Sequence, residues 1–259
     1  MSLLIIYERE DDFVMIAQDD HGRVSGGFAN AWREDLFLGK DRREDVEYAV
    51  SEHDRSWLAM DDTPIWNDEL GEPYSFMDYP LSLRIVFYKK GIDETTCQNP
   101  YAGLLCSLHY THLMEGNDDE AVKSFVHEET ERQQKLMSEF NLSGKQSQDM
   151  IKEHRKLLGF CDNLSLFICM NEPMTALENT GWFAKGFNER FNFFDNEKIV
   201  PNWLKRERVT LSHFPFSDHL TVQLPLRKVK KELIKEIGIA KAYRMTPIKS
   251  RTVTFTRED

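Results

Sequence analysis

The stretch "SEHDRSWLAMDD", residues 51–62, sets His53 beside Asp54 at the end of a helical run, with Asp61 and Asp62 close behind. An imidazole and a carboxylate together on or near an apolar helix face are the donor types that hold a divalent metal. The same types recur on apolar faces elsewhere. His21 stands three residues before Val24 in "HGRVSGGFANAW". His109 and His112 lie three apart in "GLLCSLHYTHL", a spacing that shares one side of a helix, and His109 continues the ridge of Tyr101, Leu105 and Leu108. Asp162, in "GFCDNLSLFICM", has Leu158 at i−4, Ser165 at i+3 and Cys169 at i+7. An aspartate on such a face is expensive to bury unless a cation compensates it. The ordinary reading of one buried histidine is a hydrogen-bonded core residue. Several on successive helices favour a cation. Nitrogen and oxygen donors suit iron, zinc or manganese, and the four cysteines form no CxxC that would signal a sulfur site. Open coordination positions would hold a water acidified into a hydroxide nucleophile.

These residues need elements to position them. "LLIIY" (3–7) and "FVMIA" (13–17), split by an acidic turn, predict a hairpin. Helical periodicity begins at His21. It returns over 41–58, where Val46, Ala49, Val50, His53 and Trp57 share a face and the early acids suit the helix dipole. Residues 63–80 read as a loop long enough to cover a site beside Asp54. Helices are predicted at about 81–90, 100–115, 119–140 and 146–170. Strands follow at 208–214 and 219–226, then an amphipathic helix over 230–243 and a closing strand at 251–256. A lone hairpin is marginal in water. The expected fold is therefore mainly α (α+β): one unit over 1–259, with a helical core at about 18–172 and a small antiparallel sheet from about 3–17 and 208–256.

Composition narrows the function. A chain of 259 residues at 41% hydrophobic content can bury a real core. The mean hydropathy is −0.54, and no apolar run approaches the roughly 20 residues of a spanning helix. The N-terminus lacks a basic start, so a cytoplasmic protein is expected. Cys106, Cys161 and Cys169 sit in apolar helical surroundings and read as reduced core residues. A net charge of −11 argues against nucleic acid as a partner. A small anionic substrate would need a locally positive site, from metal or arginine. Homo-oligomerisation stays open.

The ordered pieces "QDDHGRVSG", "AVSEHD" and "GFCDNLSLF" resemble the HD-domain superfamily of metal-dependent phosphohydrolases over about residues 18–172. The longer set "QDDHGRVSGGFANAW", "EYAVSEHDRSWLAMDDTP", "PYAGLLCSLHYTHL" and "CDNLSLFICMNEP" looks like a bacterial family of unknown function that is itself HD-like. The HD resemblance implies a helical bundle in which His21, His53, Asp54 and Asp162 hold a divalent metal, Fe, Mn or Zn. His109, and less well His112, would fill the slot of a second-metal ligand. It implies hydrolysis of a small phosphorylated compound such as a nucleotide. Asp54, Arg55 and Asp61 are the candidate catalytic residues. Arg55, Arg155 and Lys156 are candidate phosphate clamps. Trp57, Trp66, Tyr74, Phe76 and Tyr110 could line the pocket mouth. His127 reads as solvated, and His213 and His219 are given no role. The rival expectations are a di-iron oxygenase-like protein and a non-catalytic sensor on the same scaffold.

Overall fold

The computed structural model describes residues 4–58 and 60–258; Leu3, the first residue of the expected hairpin, lies outside them. The hairpin is β1 (Ile5–Glu8) and β2 (Asp12–Ile16), closed where the Arg9 amide donates to the Asp12 carbonyl at 2.9 Å. Four consecutive residues of β2, Phe13 to Ile16, are buried. Val14 and Ile16 face the main core, while Phe13 and Met15 face a second apolar cluster containing Ile234, Ile239 and Tyr243. A strand buried on both faces reads as a continuous apolar run rather than an alternating one.

Then come α1 (Gln18–Asn30) and α2 (Arg43–Glu52), followed by the two-residue strands β3 (Trp66–Asn67) and β4 (Glu72–Pro73). The helical body continues with α3 (Leu81–Gln98), α4 (Pro100–Leu113), α5 (Glu120–Glu139) and α6 (Lys145–Met170). Asn99 caps α4 by accepting from the Ala102 amide, with Pro100 at its first position, and Asp119 caps α5 through Ala121. The chain closes with β5 (Pro201–Lys205), β6 (Arg208–Leu211), β7 (Leu220–Lys230), α7 (Lys231–Ile237), α8 (Ile239–Met245) and β8 (Lys249–Arg257). Gly238, at φ 77°, breaks the expected 230–243 helix into α7 and α8.

The sheet corrects the expected fold class. It is not a small antiparallel annex to a helical bundle. Six strands in the order β1-β2-β7-β8-β6-β5 form one curled, mixed sheet, with β6 parallel to β8 (Val209 opposite Phe255) and the other neighbours antiparallel. Helices take up 53% of the described residues and strands 19%, so the architecture is α/β. The helical body packs on one face of β2 and β7, and α7 and α8 cover the other. Edge strand β5 escaped the sequence reading because it opens on a proline and carries exposed Asn202, Leu204 and Lys205, features that only an edge tolerates.

Two glycines fix the helix pair on which the site is built. A Cβ at Gly22 would lie 2.8 Å from the Ser51 carbonyl oxygen, and one at Gly26 would lie 1.9 Å from Ser51 Oγ. Spaced by four, they share one face of α1 and let it lie directly against the end of α2. We predict that Gly22→Ala forces these backbones apart at a cost of about 1–3 kcal/mol in urea unfolding. It should also lower the metal content of the purified protein, because His21 and His53 separate. A variant of unchanged stability would show that the contact is slack.

Candidate metal centre

His21 comes from α1, His53 and Asp54 from the end of α2, His109 from α4 and Asp162 from α6, and all five meet in the interior. His53 is the C-cap of α2 rather than part of its face, which turns its ring inward. Its Nδ1 lies 2.7 Å from the Val50 carbonyl oxygen. A carbonyl only accepts, so Nδ1 carries a proton and Nε2 is the nitrogen left to meet a cation once its own proton is displaced. That Nε2 is buried and has no hydrogen-bond partner. His21, fully buried, is oriented in the same way. The Ser165 hydroxyl donates to the His21 carbonyl at 3.1 Å and accepts from Nδ1 at 2.8 Å, which aims Nε2 at the carboxylates.

The donor atoms form a compact set. His21 Nε2 lies 3.0 Å from Asp162 Oδ1 and 3.7 Å from Asp54 Oδ2. His53 Nε2 lies 3.5 Å and 3.6 Å from the same two oxygens. Bonds of about 2.1 Å to one cation set adjacent ligands about 3.0 Å apart in an octahedron and about 3.4 Å apart in a tetrahedron. The Nε2 atoms of His21 and His53 and an oxygen of Asp54 are placed where they could hold a divalent cation, with Asp162 Oδ1 hydrogen-bonded to His21 Nε2 beside them. The donors of His21, His53 and Asp54 all lie within 4.8 Å of one another. Outside this set, Tyr110 donates to Asp54 Oδ1 at 2.8 Å and holds that carboxylate in place. His109 Nε2 approaches the other Asp162 oxygen at 3.4 Å, and its buried Nδ1 has no partner.

The electrostatics follow from this crowding. Burial pulls the His53 imidazole down, but Asp54 and Asp162 outweigh it and raise its pKa to about 9. Burial alone would raise Asp162; the imidazoles of His109, His21 and His53 instead hold its carboxyl well below the usual range. His109 is pulled below its ordinary value, chiefly by burial. A proton and a metal ion compete for the same nitrogens.

The remaining sequence candidates divide between the cleft and other places. Arg55 is ion-paired to Glu52 at 2.6 Å and Glu94 at 3.2 Å and does not line the cleft. Lys156 pairs with Glu153 at 2.7 Å, and neither it nor Arg155 lines the cleft. Asp61 accepts from the backbone amides of Gln18 (3.2 Å) and Asp19 (3.0 Å). It caps the helix that carries His21, and burial lifts its carboxyl to about 7. His112 is exposed at the cleft rim, 3.0 Å from Glu115 and outside the donor set. Trp57, Phe76 and Tyr110 line the cleft, whereas Trp66 packs on Phe13 and Tyr74 on Tyr79. His127 is exposed beside Glu131, His213 lies beside Glu197 and His219 beside Asp218.

His154 is the contrasting case: Tyr101 donates to its Nδ1 and its Nε2 donates to the Leu38 carbonyl, both at 2.7 Å, so both nitrogens are satisfied. The sequence reading missed Gln18, Asn163, Trp182 and Glu189, which line the cleft, and Ser165 as the residue that orients His21. Gln18, one turn before His21, was within reach of the same helical spacing. Trp182 and Glu189 lie in irregular chain, where no periodicity flags them.

Two outcomes follow. Ser165→Ala should weaken metal binding roughly 10–100-fold in a chelator competition, because the His21 ring loses its orienting partner. In the metal-free protein, the stability owed to protonated His53 is complete below pH 6.5 and is lost as pH rises through about 9. Denaturant unfolding across that window should show the decline, and added metal should remove it.

No curated protein and no solved structure matches the chain. The family described as "Protein of unknown function (DUF3891)" matches residues 4–231, a span that takes in every donor of the cluster and the sheet as far as β7. The chain belongs to that family of unknown function.

Proposed function

We propose that the chain is a metal-dependent hydrolase of the HD type, with His21, His53, Asp54 and Asp162 as ligands, acting on a small phosphorylated compound. The observation that carries the reading is the buried His53 Nε2, which has no hydrogen-bond partner and lies 3.5 and 3.6 Å from an oxygen of Asp162 and of Asp54, while Val50 holds the ring by Nδ1. A divalent cation bound there supplies Lewis acidity and brings a water's pKa toward neutrality. The chain's own residues do the rest. Tyr110 fixes Asp54, Ser165 fixes His21, and Asp61 anchors the start of α1. The cleft opens on the cluster past Gln18, whose side-chain oxygen is buried without a donor and is positioned to accept from a water or a substrate. Arg55 and Lys156 are held by glutamates away from the cleft, so the cation itself must meet a phosphoryl charge.

A second reading is favoured by one observation. His109 Nε2 sits 3.4 Å from the outer oxygen of Asp162, which would bridge to a second ion and suit a di-iron oxygenase-like protein. Elemental analysis of purified protein, followed by a phosphoester panel with Mn, Fe or Zn added, separates the two. The hydrolase reading expects phosphoester turnover, and metal lost from both His53→Ala and Asp54→Ala. Redox-dependent spectra with iron and no phosphoester turnover would favour the oxygenase. Undiminished metal in both variants would refute the site.

A further inference from the structure

The cleft above the cluster encloses about 410 Å³, and among the described residues that line it none is a lysine or an arginine. Arg84 stands behind one wall, reaching the Phe76 carbonyl at 3.4 Å. A divalent cation held by Asp54 and Asp162 would be neutralised by those two carboxylates and would bring no net charge to the cleft. The one further charged group on the wall is Glu189.

Glu189 is placed with some care. Its Oε1 occupies space that a side chain at position 159 would take: a Cβ on Gly159 would come within 2.9 Å of it. Its Oε2 has one long contact, with the Asn163 amide at 3.5 Å. The titratable and charged groups that face it are Asp162, Arg155 and His112, and among the described residues none makes an ion pair with it. Its donors are its own backbone amide and the distant Asn163 amide, neither of them cationic, and burial raises its carboxyl above the usual value. Gln18, 2% exposed, brings to the same cleft a buried acceptor without a donor. The walls between are aromatic: Trp57, Tyr88 and Tyr110, with Trp182 half exposed at the mouth. Buried acceptors, flat π faces and a lining without lysine or arginine describe a receptor for a cation that carries N–H groups.

We propose that the cleft selects a substrate bearing a cationic nitrogen, an ammonium or guanidinium group. This group donates to Glu189 and lies against the aromatic walls while the reacting centre meets the metal. The inference rests on the hydrolase reading only for which end of the substrate reacts.

Three probes of near-equal shape test it: benzylamine (cationic), benzyl alcohol (neutral) and benzoate (anionic). Each is titrated by calorimetry into metal-loaded and metal-stripped protein at neutral pH. The amine should bind roughly tenfold more tightly than the alcohol in both samples, with benzoate weakest. Glu189→Gln, of the same shape, should erase the preference for the amine while leaving metal content and melting temperature unchanged. Benzoate binding as tightly as the amine, a preference that survives Glu189→Gln, or no binding of any probe would overturn the proposal. Amine preference without metal or turnover would sink the hydrolase reading alone; turnover without amine preference would sink this one alone.

Discussion

A carboxylate buried in the middle of a long helix is the constraint around which this structure is arranged. Asp162 stands in α6 at 6% exposure, between Leu158 and Ser165, where an unpaired charge would cost several kcal/mol. Three imidazoles from three other segments converge on it. The elements that carry them are built to allow this: small residues bring α1 onto α2, a helix end turns His53 inward, and α4 runs alongside α6. The cluster has a positive-charge deficit that either a proton or a metal ion can fill. A divalent ion could fill it at His21, His53 and Asp54, whose donors lie within 4.8 Å of one another.

The sheet serves this arrangement by fixing the two helices that cross it. At the end of α6, Arg251 of β8 donates to the Ile168 carbonyl at 2.9 Å and also reaches the hydroxyl of Tyr7 on β1. Tyr7 and Arg9 in turn donate to Glu172 at 3.1 and 3.0 Å. Both chain ends are thereby tied to the C-terminus of the helix that carries Asp162. α1 starts directly after β2 and packs against β7. A helical core whose candidate donors come from three segments needs such a frame, because a shift of about 1 Å is enough to spoil a coordination set.

Much of the site was legible before the fold was. His21, His109 and Asp162 fall on apolar helical positions, and a charged or polar residue there calls for a partner; that logic holds whatever lies outside the helices. It was weaker for His112, which shares the side of His109 by spacing yet lies one turn further along, at an exposed rim. Arg55 and Asp61 were picked out by proximity in sequence to Asp54, and the structure gives their side chains to glutamates and to the start of α1. The sheet is misjudged because β5 looks like a loop and because no local pattern shows that β6 and β8 run parallel. Glu189 and Trp182 come from irregular chain, whose course depends on packing that no local pattern encodes.

The central claim is that four side chains from three segments share one cation. Anomalous diffraction at the manganese absorption edge, from crystals grown with that metal, tests it most directly. The account predicts a peak at bonding distance from His21 Nε2, His53 Nε2 and one oxygen each of Asp54 and Asp162. A map with no peak there, and with those side chains still satisfied by one another, would contradict it.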